Sequence, residues 1–212
     1  MYRPQADTWL LVSAYLDTGL ATTARSVLDV CTGTGAVAMA AADAAGASCR
    51  VTAVDATRRA VWAARWNSLR RHRGVAVRRG NLFAPVDGHR YDVVLANPPY
   101  VPAPEADLPR HGPGRSWDAG RDGRLLLDRL CRAAPRVLTP GGSLLVVHSS
   151  LCGIAETLRL LAAAGLHATV AARKREPFGP VMSSRAAYLE ERGLIAPGCR
   201  EEELVVVRAD RS

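Results

Sequence analysis

Short apolar runs and stretches of helical periodicity alternate along nearly the whole chain. The runs at 26–30, 50–54, 75–78, 91–96, 143–148, 167–171 and 204–208 are short and rich in Val and Leu, which predicts strands. Between them, 7–17, 36–44, 57–71, 124–134 and 153–164 have the composition and spacing of helices. In the last of these Ile154, Leu158 and Leu161 fall at i, i+4 and i+7, and Gly165 stands where a C-terminal cap belongs. Such alternation predicts an α/β fold, a mostly parallel sheet covered by helices on both faces. Ligands in these sheets bind outside the carboxyl ends of the strands, near the point where strand order reverses.

Two stretches interrupt the pattern. Residues 98–123 and 173–202 are rich in Pro, Gly and charge, and both are too long for simple connectors. They are predicted to be loops that contact substrate. The chain, 1–212, reads as one domain, with 1–25 a helical lead-in to the first strand.

Composition narrows the picture less than pattern does. Met1 to Leu10 contains Arg3, Pro4, Gln5 and Asp7 and no apolar run, so neither a signal peptide nor a membrane span is expected, and the expected location is cytoplasmic. The cysteines, Cys31, Cys49, Cys131, Cys152 and Cys199, have no metal-ligand spacing. They read as reduced, mostly buried thiols, and no metal site is expected. The net charge of +8 gathers in Arg58, Arg59, Arg65, Arg70, Arg71, Arg73, Arg78 and Arg79. A ribosome, RNA or acidic protein would suit such a face. A solvated helix face is the preferred reading, because no aromatic residues interleave the cluster as a stacking platform would require; Lys174 is also the only lysine, which points to a bias of composition toward arginine. Trp62, Trp66 and Leu69 lie nearby at i, i+4 and i+7, which predicts a packing stripe rather than a base-stacking platform.

The first strand runs into Asp29-Val30-Cys31-Thr32-Gly33-Thr34-Gly35 and opens an alanine-rich helix. Glycines there let the backbone turn tightly and approach a ligand. The second strand ends at Asp55, twenty residues after Gly35, where a carboxylate can accept both ribose hydroxyls of an adenosine. A dinucleotide site is the competing reading. It is disfavoured because the third glycine of Gly-x-Gly-x-x-Gly is Ala38, and because Asp29 suits an amino group better than a pyrophosphate. Beyond the third strand, Gly80-Asn81-Leu82-Phe83 forms a turn expected beside the adenine, where Asn81 can accept from the exocyclic amine.

The fourth strand ends in Asn97-Pro98-Pro99-Tyr100, the most specific feature of the chain. Pro98 holds Asn97 extended, and both prolines fix φ. The Asn97 oxygen and the Pro98 carbonyl can each accept a hydrogen from one planar NH2 group, while Tyr100 stacks on its flat face. Such a frame orients the nitrogen and stabilises the positive charge that develops when it attacks an electrophile. On this reading Asn97→Asp keeps an acceptor oxygen and should retain partial activity, above that of Asn97→Ala.

Taken together, these residues resemble the class I S-adenosylmethionine-dependent methyltransferases of the glutamine methyltransferase family, which modify the Gly-Gly-Gln loop of peptide-chain release factors. The short branch of that family is the nearest match. Its opening Tyr-x-Pro-x-x-Asp-Thr is met by Tyr2, Pro4, Asp7 and Thr8, and its later segments by Trp117-Asp118-Ala119-Gly120, Asp122-Gly123-Arg124 and Glu202-Glu203-Leu204. The resemblance implies a Rossmann-like, seven-stranded, mostly parallel sheet with the last strand antiparallel. It implies S-adenosylmethionine held by Thr8, Asp29, Cys31, Thr32, Gly33, Gly35, Asp55, Asn81, Leu82 and Asn97. It implies catalysis by Asn97, Pro98 and Tyr100, with Pro99 joining them in binding the acceptor. A release factor is the implied protein substrate, and a small zinc-binding activator subunit an implied partner. Two features depart from the family pattern: with the first strand near residue 26, the helical N-terminal substrate domain of the usual bacterial release-factor enzyme is not expected in this chain, and Asn81 stands where the third motif usually has an acidic residue. Competing readings are an N-methyltransferase for a nucleic-acid base or a small natural product, and a non-catalytic cofactor-binding protein of the translation machinery.

Overall fold

A computed structural model describes residues 4–46, 48–71, 74–109 and 112–212. Tyr2 and Arg73, each part of a pattern above, lie outside the described residues. The seven predicted strands form as β1 (Ser26–Val30), β2 (Arg50–Asp55), β3 (Ala76–Arg79), β4 (Tyr91–Ala96), β5 (Leu138–Ser149), β6 (Leu166–Pro177) and β7 (Glu201–Arg211). They make one sheet of order β3-β2-β1-β4-β5-β7-β6. Neighbours from β3 to β5 pair in parallel, whereas β7 runs antiparallel to both β5 and β6.

Side chains on successive strand positions point to opposite faces, and both faces are buried. Leu28, Val30, Val94, Ala96, Leu144 and Val146 belong to one core, and Val27, Val93, Leu95, Leu145 and Val147 to the other. The second core is closed by α1 (Ala6–Asp17), α2 (Leu20–Thr23) and α3 (Ala36–Ala44). The first is closed by α5 (Leu125–Ala133), α6 (Ile154–Ala163) and α7 (Pro180–Glu191). Apolar burial on both sides of one sheet is the main force holding these layers together.

The stripe expected on α4 (Arg58–Arg70) does not pack. Trp62, Trp66 and Leu69 are 74%, 62% and 71% exposed. The helix instead turns Ala60, Val61, Ala64 and Ser68 inward. Small residues are needed there because the chain at Gly35 comes close: a Cβ on Gly35 would lie 3.2 Å from the Ala64 Cβ, and Gly35 also has a φ of 85°. Exposed arginines and tryptophans therefore share one solvent face of α4, against the expectation that the cluster lacks interleaved aromatics.

The second predicted loop is also corrected. Within 173–202, β6 continues to Pro177, α7 spans Pro180–Glu191 and β7 begins at Glu201. Met182, Ala186 and Leu189 are buried at i, i+4 and i+7, and Pro180 occupies the first helical turn. The first predicted loop, 98–123, is an ordered flap rather than a free connector. Val101 accepts from Ala119 and donates to Trp117, and Ala103 donates to Gly120. Arg185 of α7 meets Asp118 at 2.9 Å, and the Tyr188 hydroxyl donates to the Ala103 carbonyl. None of the described helices is long and apolar enough to cross a membrane. All five cysteines are free; Cys131 and Cys152 are buried, while Cys31, Cys49 and Cys199 are only half-buried.

Candidate functional site

Strand order reverses between β1 and β4, and the ends of β1, β2 and β4 open there into a cleft of ≈ 1770 Å³. Thr8, Asp29, Cys31, Thr32, Gly33, Asp55, Asn81, Leu82, Asn97, Pro98, Pro99 and Tyr100 all line it. Gly35 is the one predicted site residue that does not. It serves the close approach of α4 instead, as described above.

The floor is built by carboxylates that brace the backbone. Asp29, 1% exposed, accepts from the Thr32 hydroxyl at 2.5 Å and from Ala38 N–H in the first turn of α3 at 2.9 Å. Burial pushes its pKa up to about 7 despite those bonds. Asp55 accepts from Gly33 N–H at 3.0 Å and from the Thr57 N–H and hydroxyl at 2.8 and 3.0 Å. Both Thr57 bonds fall on Oδ1, whereas Oδ2 takes only the Gly33 N–H, so Oδ2 keeps a lone-pair direction for a ligand. Thr57 then caps α4 through its hydroxyl, and Asn67 of α4 donates to the Thr34 carbonyl at 2.8 Å. Two non-glycine residues here hold left-handed backbone, Cys31 at φ 61° and Leu82 at φ 46°. Such conformations persist where the surroundings enforce them, and both lie on the cleft wall.

The fit of these residues to an adenosine-type cofactor rests on this cradle. A Cβ added at Gly33 would meet nothing within 4 Å, so the turn faces open cleft. Asp55 stands at one end of the turn and Asp29 beneath it, which suits a ligand with a diol and a cationic amino group.

The chemical segment is positioned by a residue that spacing alone did not single out. Asp7, 3% exposed at the start of α1, accepts from Asn97 Nδ2 at 3.1 Å and from the Tyr100 hydroxyl at 3.2 Å through the same oxygen, Oδ2. Its Oδ1 accepts from the Thr8 N–H at 2.6 Å. Thr8 Oγ1 lies a further 3.5 Å from Asn97 Nδ2. With the amino end of Asn97 committed to Asp7, its Oδ1 is the end left for a ligand. Gly123 backs the segment from below. Its φ is 73°, and a side chain there would collide with the Tyr100 carbonyl and Cys152.

Glu202, at the start of β7, also lines the cleft; in the sequence it stands only within the Glu202-Glu203-Leu204 match, with no site role assigned to it. Only the pairing of β7 with β5 brings it there.

The model of the methyltransferase small domain matches residues 6–108. A putative protein N5-glutamine methyltransferase of Methanocaldococcus jannaschii is 32% identical over 182 residues, covering 86% of this chain and 89% of the relative. A release factor glutamine methyltransferase of Geobacter sulfurreducens is 32% identical, covering 68% of this chain and 51% of the relative, so the chain spans about half of that protein. Among solved structures, the Mtq2–Trm112 complex of E. cuniculi, described as responsible for methylation of the eRF1 translation termination factor, superposes with a TM-score of 0.66. That match has 23% identity and covers 100% of this chain and 98% of the other, and it shows a shared fold.

Proposed function

The chain belongs to the protein N5-glutamine methyltransferase family, and from that premise we propose that it methylates the side-chain amide of the glutamine in the Gly-Gly-Gln segment of a peptide-chain release factor. S-adenosylmethionine, when bound, supplies a methyl group already activated on a sulfonium. The chain's own work is then orientation. Asp55 and the Gly33 turn hold the ribose side of the cofactor, and Asp29 its amino group. Asn81 and Leu82 border the adenine.

The acceptor amide is a poor nucleophile, because its lone pair is delocalised onto the carbonyl. Asn97 Oδ1 and the Pro98 carbonyl accept its two N–H bonds. This fixes the nitrogen in the cleft and stabilises the positive charge that grows as the N–C bond forms. One proton leaves the nitrogen afterwards, when it has become strongly acidic, so no strong base is required. The observation that carries the reading is the Asp7–Asn97 hydrogen bond, which points the acceptor end of Asn97 toward substrate. Intact Asn97–Tyr100 also argues against a non-catalytic binding protein.

The acceptor identity is supported by the similarity to the Geobacter enzyme and by the fold match to the E. cuniculi complex, whose names concern termination factors. The E. cuniculi relative is described as a complex with Trm112, and on that basis a small zinc-binding activator is proposed as a partner. The test is mass spectrometry after incubation of the protein with methyl-labelled cofactor and a Gly-Gly-Gln release factor, with and without such an activator. One methyl on the glutamine is expected, and none on a Gln→Ala substrate. Methylation of RNA or a small molecule with the release factor untouched would overturn the substrate reading.

A further inference from the structure

The Asn97–Tyr100 segment is fixed at its near end by β4, whose last residue is Ala96. Its far end is held through the Tyr100 main chain. The Cys152 thiol donates to the Tyr100 carbonyl at 3.2 Å, and both residues are buried. Gly123 lies against the same carbonyl: an added Cβ would stand 2.2 Å from its oxygen and 2.9 Å from the Cys152 sulfur.

Arg124, the next residue, is a buried cation with no part in the chemistry above; it is 8% exposed. Its Nη1 donates to the Cys152 carbonyl, to the Gly153 carbonyl at 3.1 Å and to the Thr157 hydroxyl at 3.2 Å. Its Nε donates to Asp128 Oδ1 at 2.9 Å, and Nη2 pairs with the same oxygen at 2.8 Å. One planar guanidinium thus ties the start of α5 to the turn at 150–153 and to α6. A lysine, a point charge on a flexible stem, cannot hold that set together. Well-packed apolar residues would brace the turn without the cost of desolvating a charge, so stability alone gives little reason for a guanidinium here.

Both prolines fix φ, so the chain from Asn97 to Tyr100 moves nearly as one piece. A shift of the Tyr100 carbonyl therefore displaces the Pro98 carbonyl, one of the two acceptors proposed for the amide NH2. A misplacement of about 1 Å can cost on the order of 10²-fold in rate. We infer that Arg124 is a positioning residue for methyl transfer: it holds the turn carrying Cys152, whose thiol fixes the Tyr100 carbonyl and, through the stiff Pro98-Pro99 pair, the Pro98 carbonyl. Arg124 itself is not on the cleft wall, and it acts through Cys152. This rests on the methyl-transfer reading above.

The test measures single-turnover methyl transfer by the full-length protein at saturating cofactor, with a Gly-Gly-Gln release factor as acceptor. Cofactor affinity by calorimetry checks folding. Cys152→Ala and Cys152→Ser both lose the bulk of the sulfur, but serine keeps a donor. The alanine variant should be slower by about tenfold, with cofactor affinity within about twofold of wild type. The serine variant should recover most of the wild-type rate, whereas a loss of packing alone would slow both alike. Arg124→Lys should be slowed at least as much as Cys152→Ala. Adding Cys152→Ala to it should cost less than about threefold more, because both act along one path. Equal rates in the serine and alanine variants, or a double variant whose loss is the product of the single losses, overturns the positioning role. If Arg124→Lys fails to bind cofactor, the comparison of serine with alanine decides by itself. A wild type that methylates no Gly-Gly-Gln protein overturns the substrate reading instead, a result visible before any variant is made.

Discussion

Asp7 gives Asn97 a direction, and that changes what substitutions there should do. Judged from sequence, Asn97→Asp looks mild because it preserves an oxygen acceptor. In the folded chain its second oxygen would meet Asp7 Oδ2, which now accepts from Asn97 Nδ2 at 3.1 Å. Two carboxylates in one buried corner repel and share a proton at best. Asn97→Asp should therefore fall to or below Asn97→Ala, itself slower than wild type by about 10²–10³ by analogy with a lost transition-state hydrogen bond. Single-turnover methyl transfer at saturating cofactor measures this, and an aspartate variant faster than the alanine variant would contradict the Asp7 contact. Asp29 supplies a second expectation. Its pKa of about 7 lies well above the ordinary aspartate value of 3.8. The unliganded native state thus holds more protons than the unfolded chain between those values, and this residue's contribution to stability falls as pH rises across that window. A cationic amino group on the cofactor favours the ionised form. Cofactor binding at pH 6 should then release a proton, and affinity should tighten up to about pH 7 and level off above it. Calorimetry in two buffers of different ionisation enthalpy counts that proton directly, and Asp29→Asn should abolish its release.

At the scale of elements, α4 shows how a periodic stripe can mislead. Trp62, Trp66 and Leu69 satisfy the spacing of a buried face, but so do Ala60, Ala64 and Ser68 on the other side of the helix. Spacing finds a face; it does not say which of two faces meets the sheet. The close packing of Gly35 against Ala64 decides in favour of the small residues. Trp62→Ser and Trp66→Ser should accordingly shift stability by no more than about 0.5 kcal/mol, the usual range for surface positions. Thermal unfolding checks this, and a drop of many degrees would restore the packing reading. In α7 the failure was of the opposite kind. Met182, Ala186 and Leu189 did carry a helical signal, but Pro177, Gly179, Pro180, Pro197 and Gly198 around them read as a loop. Pro180 marks the start of the helix, since a first-turn proline lacks only an N–H that would have no partner inside the helix.

For the molecule as a whole, the last strand is an inner one. β7 lies between β5 and β6, and it carries Val207 into the first core and Val206 into the second. A chain ending at Arg200 should lose the pairing on both sides and fail to fold; a native circular-dichroism spectrum and a monomer-sized elution for it would contradict that. Residue pattern alone was enough to place the strands, most helices, the α/β class, and Gly33, Asp55 and Asn97–Tyr100 at the ends of their strands. Those features are local: apolar runs, turn residues and fixed φ angles act within a few residues of each other. Tertiary structure alone decided which distant residues join them. Asp7 is 90 positions from Asn97, and it arrives because α1 folds back over the end of β4. Glu202 arrives because β7 runs antiparallel and so begins where the parallel strands end. No periodicity encodes such a meeting; it follows from which strand edges pair and which helix faces bury the most apolar surface.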